Sequence, residues 1–242
     1  MEQIKLDILA FAAHPDDTEL ACCGTLLKHI AMGKRVGVID LTRGELGTRG
    51  SADIRDKEAA DAAKILGLSV RENLRFADGF FSINQAHFLP IIQVIRKYQP
   101  EIVLANAVSD RHPDHGRAGK LVSEACFLSG LTKIETALVD GNLQQAWRPK
   151  TVYHYIQDRY MKPDFSVDIT PYMETKMSAI KAFASQFHDP DSNEPITTIS
   201  TPEFLDFVKA RAIQYGREIG VKYAEGFTVE RTMGINNLFD LL

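Results

Sequence analysis

Four short apolar runs, none alternating between inside and outside, constrain this 242-residue chain more than any other feature. They are Lys5–Ala12, Val36–Leu41, Glu101–Val108 and Thr151–Gln157. A strand with one wet face alternates apolar and polar residues, whereas a strand covered on both faces reads as an unbroken run. Between the runs the apolar period becomes that of a helix. Leu20, Cys23, Leu27, Ile30 and Ala31 share a face, and Gly33 follows as a stop. Asp56–Leu66 is alanine-rich and ends at Gly67. Phe88, Ile91, Ile92 and Ile95 make a third face, and Ala118, Leu121, Val122, Ala125 and Cys126 a fourth. Strand alternating with helix predicts an α/β fold, a mostly parallel sheet with helices on both faces.

The length suits one large domain. Its first part, 1–130, is the strand–helix half, and 150–242 is a less regular part that completes the pocket. There Pro171–Phe187 and Pro202–Arg217 read as helices flanking HDPDSNEPITTIST (188–201), a candidate mobile or partner-contacting loop. EGFTVERTMGI reads as a late strand. A net charge of −4 argues against nucleic acid or an anionic membrane as partner. No apolar run approaches the roughly 18 residues of a membrane helix. The N-terminal MEQIKLDILAFAAH lacks a basic segment and a cleavage site, so no signal peptide is expected. Cys22, Cys23 and Cys126 lack C-x-x-C spacing and predict reduced thiols in a cytoplasmic protein.

In an open α/β sheet, ligands collect beyond the carboxyl ends of the strands. At the end of the first run stands HPDD, His14 to Asp17, and at the end of the third stands SDRHPDHGRAG, Ser109 to Gly119. Each alone also reads as a capped turn, with Asp17 or Thr18 capping one helix and Asp114 the next. Together, on matching strand ends, they read as a site. Two imidazoles and a carboxylate suit a divalent transition metal with a position left open. His14 and Asp17 are spaced i, i+3, as are His112 and His115. One ion has little room for all four, so some of these groups must do other work.

The stretch AHPDDTELACCGTL resembles the A-H-P-D-D-x-E-x-x-x-G-G-x-L signature of the PIG-L/LmbE-like zinc deacetylases, and RHPDHGRAG resembles their second motif. Similarity continues through VIDLTRGELGTRGS, IRDKEAADAAKILG and ADGFF, and within the family is closest to the N-acetylglucosaminyl-malate deacetylases of bacillithiol synthesis. Cys23 departs from the family, standing at the first of two usual glycines. The resemblance implies a Rossmann-like fold with its active rim at the strand carboxyl ends, and a homo-oligomer acting on a small amino-sugar substrate. It implies that His14, Asp17 and His115 bind Zn2+, although the ligand types also admit Fe2+, Co2+ or Mn2+. Asp16 is then the general base, His112 the cation that steadies the oxyanion or protonates the amine, and Asp114 the group that orients a histidine.

The glycine-rich TRGELGTRGS after the second run lacks the phosphate-loop pattern. Arg43, Glu45, Arg49, Arg55 and Arg111 gather around the same rim, and forked guanidinium groups suit a dicarboxylate such as malate. Arg55 opens a helix, where the macrodipole disfavours a cation, which suggests a ligand contact. Tyr155, at a strand end, is placed to line a sugar pocket. His29, His87 and His154 read as surface or packing residues, and His188 belongs to the loop. Two other readings fit a His/carboxylate cluster: a non-haem iron(II) oxygenase, which has no evident use for both Asp16 and His112, and a metal- or nucleotide-binding module without turnover.

Overall fold

Each anticipated run becomes a strand whose two faces both meet apolar neighbours. In β1 (Ile8–Ala12), Leu9 and Phe11 pack into one layer with Ile91, Ile95, Leu121 and Val122. Ile8 and Ala10 enter the opposite layer with Leu26, Val36 and Val38. That two-sided burial is why the run shows no alternation.

The computed structural model describes residues 4–240. The other strands are β2 (Val36–Thr42), β3 (Val70–Phe76), β4 (Ile102–Ala105), β5 (Thr151–Tyr155), β6 (Phe165–Asp168) and β7 (Ala224–Val229). The helices are α1 (Asp17–Ala21), α2 (Cys23–Ala31), α3 (Ala52–Leu66), α4 (Gln85–Tyr98), α5 (Pro113–Leu128), α6 (Met173–Lys181) and α7 (Phe204–Glu218). The strand order in the single sheet is β3-β2-β1-β4-β5-β7-β6. Strands β1 to β5 pair in parallel, whereas β7 runs antiparallel to β5 and β6 antiparallel to β7. The chain builds outward from β1 through β2 to β3, then returns to place β4 on the other side of β1. The carboxyl ends of β1 and β4 therefore flank the switch point, where an open sheet leaves a crevice. Both histidine–aspartate motifs emerge there.

Four local features differ from the sequence reading. Strand β3, VRENLRF, has no apolar run because it is an edge strand; its inward Arg71 pairs with Glu19 at 2.6 Å and Asp40 at 2.9 Å. The helix anticipated over residues 20–31 breaks at Cys22, so α2 starts where its Gly24 and Thr25 amides donate to Glu225 at 3.0 and 2.7 Å. Helix α3 starts at Ala52, earlier than Asp56, because the Ser51 hydroxyl caps it by accepting from the Ile54 amide. Helix α6 ends at Lys181, before Phe187. Met177, Ile180, Phe183, Phe204 and Val208 then pack α6, α7 and the chain between them against Ala59 and Ala62 of α3. Among the described residues no helix is long and apolar enough to cross a membrane.

Candidate active site

The HPDD turn is closed by the Asp17 amide donating to the His14 carbonyl at 3.2 Å. Asp16 takes φ 111°, in the left-handed region. For a residue other than glycine this conformation costs on the order of 1–3 kcal/mol and persists only where the surroundings over-determine it. Here Arg55 supplies the constraint. From the first turn of α3 it donates to the Pro15 carbonyl, and its Nη2 lies 3.1 Å from Asp16 Oδ2. Gly44, at φ +64°, is needed for that reach, since a Cβ there would collide with the guanidinium. Asp16 occupies the N-cap position of α1, yet its side chain makes no capping bond. The cap expected of Asp17 or Thr18 is not made, because Asp17 is already the first helical residue. Burial raises the pKa of Asp16, and Arg55 opposes that rise.

Asp17 is fully engaged. Its Oδ2 accepts from the His14 amide (3.0 Å) and Asn106 Nδ2 (2.9 Å). Its Oδ1 accepts from Gln157 Nε2 (3.0 Å) and lies 3.1 Å from His115 Nε2. Burial works against ionisation, but His115 and His14 outweigh it and hold this carboxyl well below the usual range.

The second motif opens α5. Pro113 is its first residue, and His112 is the N-cap, its Nδ1 accepting from the Asp114 amide at 3.3 Å. His112 caps this helix in place of the expected Asp114. One turn on, His115 sets Nδ1 2.5 Å from Asp110 Oδ2 and turns Nε2 toward Asp17. His14 sets Nε2 3.0 Å from Asp78 and 3.4 Å from Asp114, which leaves Nδ1 on the Asp17 side at 3.7 Å. The rings of His14, His112 and His115 lie with centroids 4.6 to 5.5 Å apart.

Electrostatics separates these imidazoles. Burial would lower His14, but Asp114, Asp78 and Asp17 outweigh it and push it up to about 10. Asp17 and Asp110 likewise raise His115 to about 9 against burial. Burial, together with His14 and His115, lowers His112. Asp114 favours a charged His112, but burial, His14 and His115 outweigh it; Asp114 itself faces His14 and Arg117, and Asp110 faces His115.

These residues suit a divalent cation. Nitrogens of His14, His112 and His115 lie within 4.8 Å of one another. Asp110 and Asp78 bind the outward nitrogens of His115 and His14, as carboxylates behind metal-binding histidines do. Asp78, Asp114 and His14 also cluster within 4.8 Å. Those two carboxylates approach His14 at Nε2, whereas Asp17 lies on its Nδ1 side and beside His115 Nε2; with the Leu46 and Gly79 amides and Arg117 as their further partners, Asp78 and Asp114 are placed to orient His14.

A sequence profile of the PIG-L family (GlcNAc-PI de-N-acetylase) matches residues 9–126. The diacetylchitobiose deacetylase of Thermococcus kodakarensis is 30% identical over 229 residues, 90% of this chain and 81% of that protein. The chain belongs to the PIG-L family. The crystal structure of the conserved protein TT1542 from Thermus thermophilus superposes on this PIG-L chain with a TM-score of 0.83 at 35% identity, covering 96% and 98% of the two chains. A probable N-acetyl-α-D-glucosaminyl L-malate deacetylase 2 from Bacillus anthracis is 26% identical over 74% of this chain and 81% of that protein. The Pseudomonas putida 4-oxalmesaconate hydratase is 28% identical over 74% of each.

The cavity of this PIG-L chain, about 300 Å³, is lined by His14, Asp16, Asp17, His112 and His115 together with Arg55 and Arg111. The other residues expected to bind substrate lie elsewhere. Arg43 does not line the cavity; it donates to Asp56 at 2.6 Å and to Asp53 at 2.5 Å. Glu45 accepts from the Asp78 and Arg43 amides at 2.9 and 3.1 Å, so it braces the rim loop. Tyr155 is completely buried, its hydroxyl donating to the Phe11 carbonyl at 2.7 Å; it belongs to the core and not to a sugar pocket. Arg55 is bound to Asp16, and Arg111 to Asp158 at 2.7 Å. His154 is buried between the Asn106 carbonyl and Glu230, as a packed strand residue.

The sequence reading gave no role to Asp78, Asn106, Gln157 or Arg211. Asp78 lay within the family-like ADGFF, which was the one available signal. Asn106 and Gln157 stand just past strands β4 and β5, within the apolar runs, and Arg211 sits on a helix, where nothing local marks them. The 188–201 loop reaches the site as well: Ile199 lines the cavity, and Glu194 accepts from the Gly50 amide at 3.0 Å.

Proposed function

We propose that this PIG-L chain is a zinc-dependent deacetylase that hydrolyses the acetamide of an N-acetylglucosaminyl conjugate, with N-acetylglucosaminyl L-malate as substrate. The observation that carries this reading is the unequal fate of two adjacent carboxylates. Asp17 has both oxygens committed, whereas Asp16 faces the cavity with only Arg55 beside it.

His14 Nδ1, Asp17 and His115 Nε2 would hold the ion, which when bound supplies Lewis acidity toward water and toward the amide oxygen. Asp16 takes the proton of the attacking water. Its burial raises its proton affinity toward working pH, as a general base requires. The same carboxyl then carries that proton to the departing nitrogen. His112, with Nδ1 occupied at the helix start, has Nε2 left to donate toward the oxygen on which negative charge builds. Gln157 and Asn106 keep Asp17 from turning away.

An oxygenase would leave Asp16 and His112 without work, and a binding module would not need a base in a strained conformation. A hydratase could use the same base, so the product decides. Chelated and metal-restored protein is offered N-acetylglucosaminyl malate and N,N′-diacetylchitobiose, and acetate and free amine are measured. Metal-dependent release, faster from the malate conjugate, is expected. Equal rates would remove malate from the reading, and no acetate from either would remove deacetylation. The reading places a homo-oligomer in the cytoplasm, and sedimentation of the purified protein tests its assembly.

A further inference from the structure

An anionic aglycone needs a cation, and the arginines that the sequence offered for that task are already paired. Three arginines line the cavity: Arg55, Arg111 and Arg211. Asp16 takes Arg55, and Asp158 takes Arg111. Arg211, from α7, is different. Among the described residues no carboxylate lies within ion-pair distance of it; Asp158, Asp110 and Glu225 act on it only at longer range.

It is nevertheless held in place. One terminal nitrogen donates to the Gln157 carbonyl and the other to the Leu20 carbonyl at 3.1 Å, and the guanidinium lies 5.6 Å from the centre of the Phe207 ring. Of its five N–H donors these bonds use two, leaving three. The cavity it faces also has apolar lining from Leu20, Ile199 and Phe204. A fixed guanidinium in such surroundings binds an anion strongly, because little side-chain freedom is lost and little water competes.

We propose that Arg211 is the specificity-determining residue of this cavity and binds a carboxylate on the aglycone of the N-acetylglucosaminyl substrate. This rests on the deacetylase reading above and names the residue that would make it selective for anionic conjugates. Arg211 also touches the backbone of Gln157, whose side chain supports Asp17, so a purely structural role is the rival explanation.

The metal-restored enzyme is assayed with N-acetylglucosaminyl malate and with its uncharged dimethyl ester. The wild type should prefer the acid by about tenfold or more in kcat/KM, a modest value for a partly desolvated charge pair. In Arg211→Gln that preference should collapse, chiefly through KM, and Arg211→Lys should recover part of it. Equal loss on both substrates would assign Arg211 to support of Gln157 and overturn the proposal, as would a wild type that does not discriminate. Calorimetric titration with glucosaminyl malate and its dimethyl ester needs no turnover. Tighter binding of the acid by the wild type, lost in Arg211→Gln, supports the anion site even if no acetate is released, an outcome that would sink only the deacetylase reading. Equal binding of acid and ester overturns the anion site.

Discussion

Replacing Arg55 by glutamine separates a residue that tunes the base from one that binds substrate. In the folded protein Arg55 Nη2 and Asp16 Oδ2 are 3.1 Å apart, and both side chains are almost wholly buried. At an effective dielectric constant of about 20, two unit charges at that distance attract by ~5 kcal/mol, or roughly 4 pKa units. Water in the cavity and the bonds Arg55 makes to the Pro15 and Gly44 carbonyls reduce this, so a shift of about 1–3 units is expected. The sign is fixed. Burial already raises Asp16, Arg55 is the largest opposing influence, and its loss raises Asp16 further. Because the base acts ionised, the acidic limb of the kcat/KM profile moves to higher pH. At pH 7 the variant loses ~10- to 1,000-fold and recovers as pH rises. The assay is acetate release by metal-loaded wild type and Arg55→Gln across the pH range; the metal is common to both, so the difference isolates Arg55. An unmoved acidic limb with a raised KM would refute this reasoning and return Arg55 to substrate binding.

Asp16→Asn should lose ~100- to 10,000-fold in turnover while keeping its metal by elemental analysis, since asparagine tolerates a positive φ and the ligands are untouched. His115→Ala should instead lose the metal. Removing Asn106 or Gln157 should weaken metal affinity about 10- to 100-fold in a competition titration with a chelator, because each donates to Asp17. Tyr155→Phe should lower stability by about 1 kcal/mol in denaturant melts through loss of its buried hydrogen bond to the Phe11 carbonyl, with KM unchanged; a raised KM would restore Tyr155 to the pocket. In metal-free protein His14 and His115 are raised from 6.5 to about 10 and 9. The stability they contribute is complete below pH 6.5 and is lost as pH rises through 9 to 10, so melting temperature should fall across that window.

The candidate site was legible locally because histidines and aspartates at such close spacing are an uncommon pattern. HPDD and RHPDH carry six such groups, and a strand ending just before each places them on one rim. The parallel sheet was legible for a similar reason: two-sided burial writes itself into unbroken apolar runs. Strand β3 was not, because an edge strand needs no such run.

Which arginine serves which partner is a different kind of question. Arg43, Arg55 and Arg111 look alike in sequence, and only folding sets Asp53 and Asp56, Asp16 and Asp158 beside them. Tyr155 looked like a strand-end pocket residue until β1 came to lie within reach of its hydroxyl. Arg211 carried no mark at all, lying far along the chain from the HPDD turn. Residue identity and short-range spacing determined what chemistry this protein can support. Tertiary structure decided which charges are spent on one another and which remain for a ligand, because Coulomb and hydrogen-bond energies depend on distances that chain order does not set.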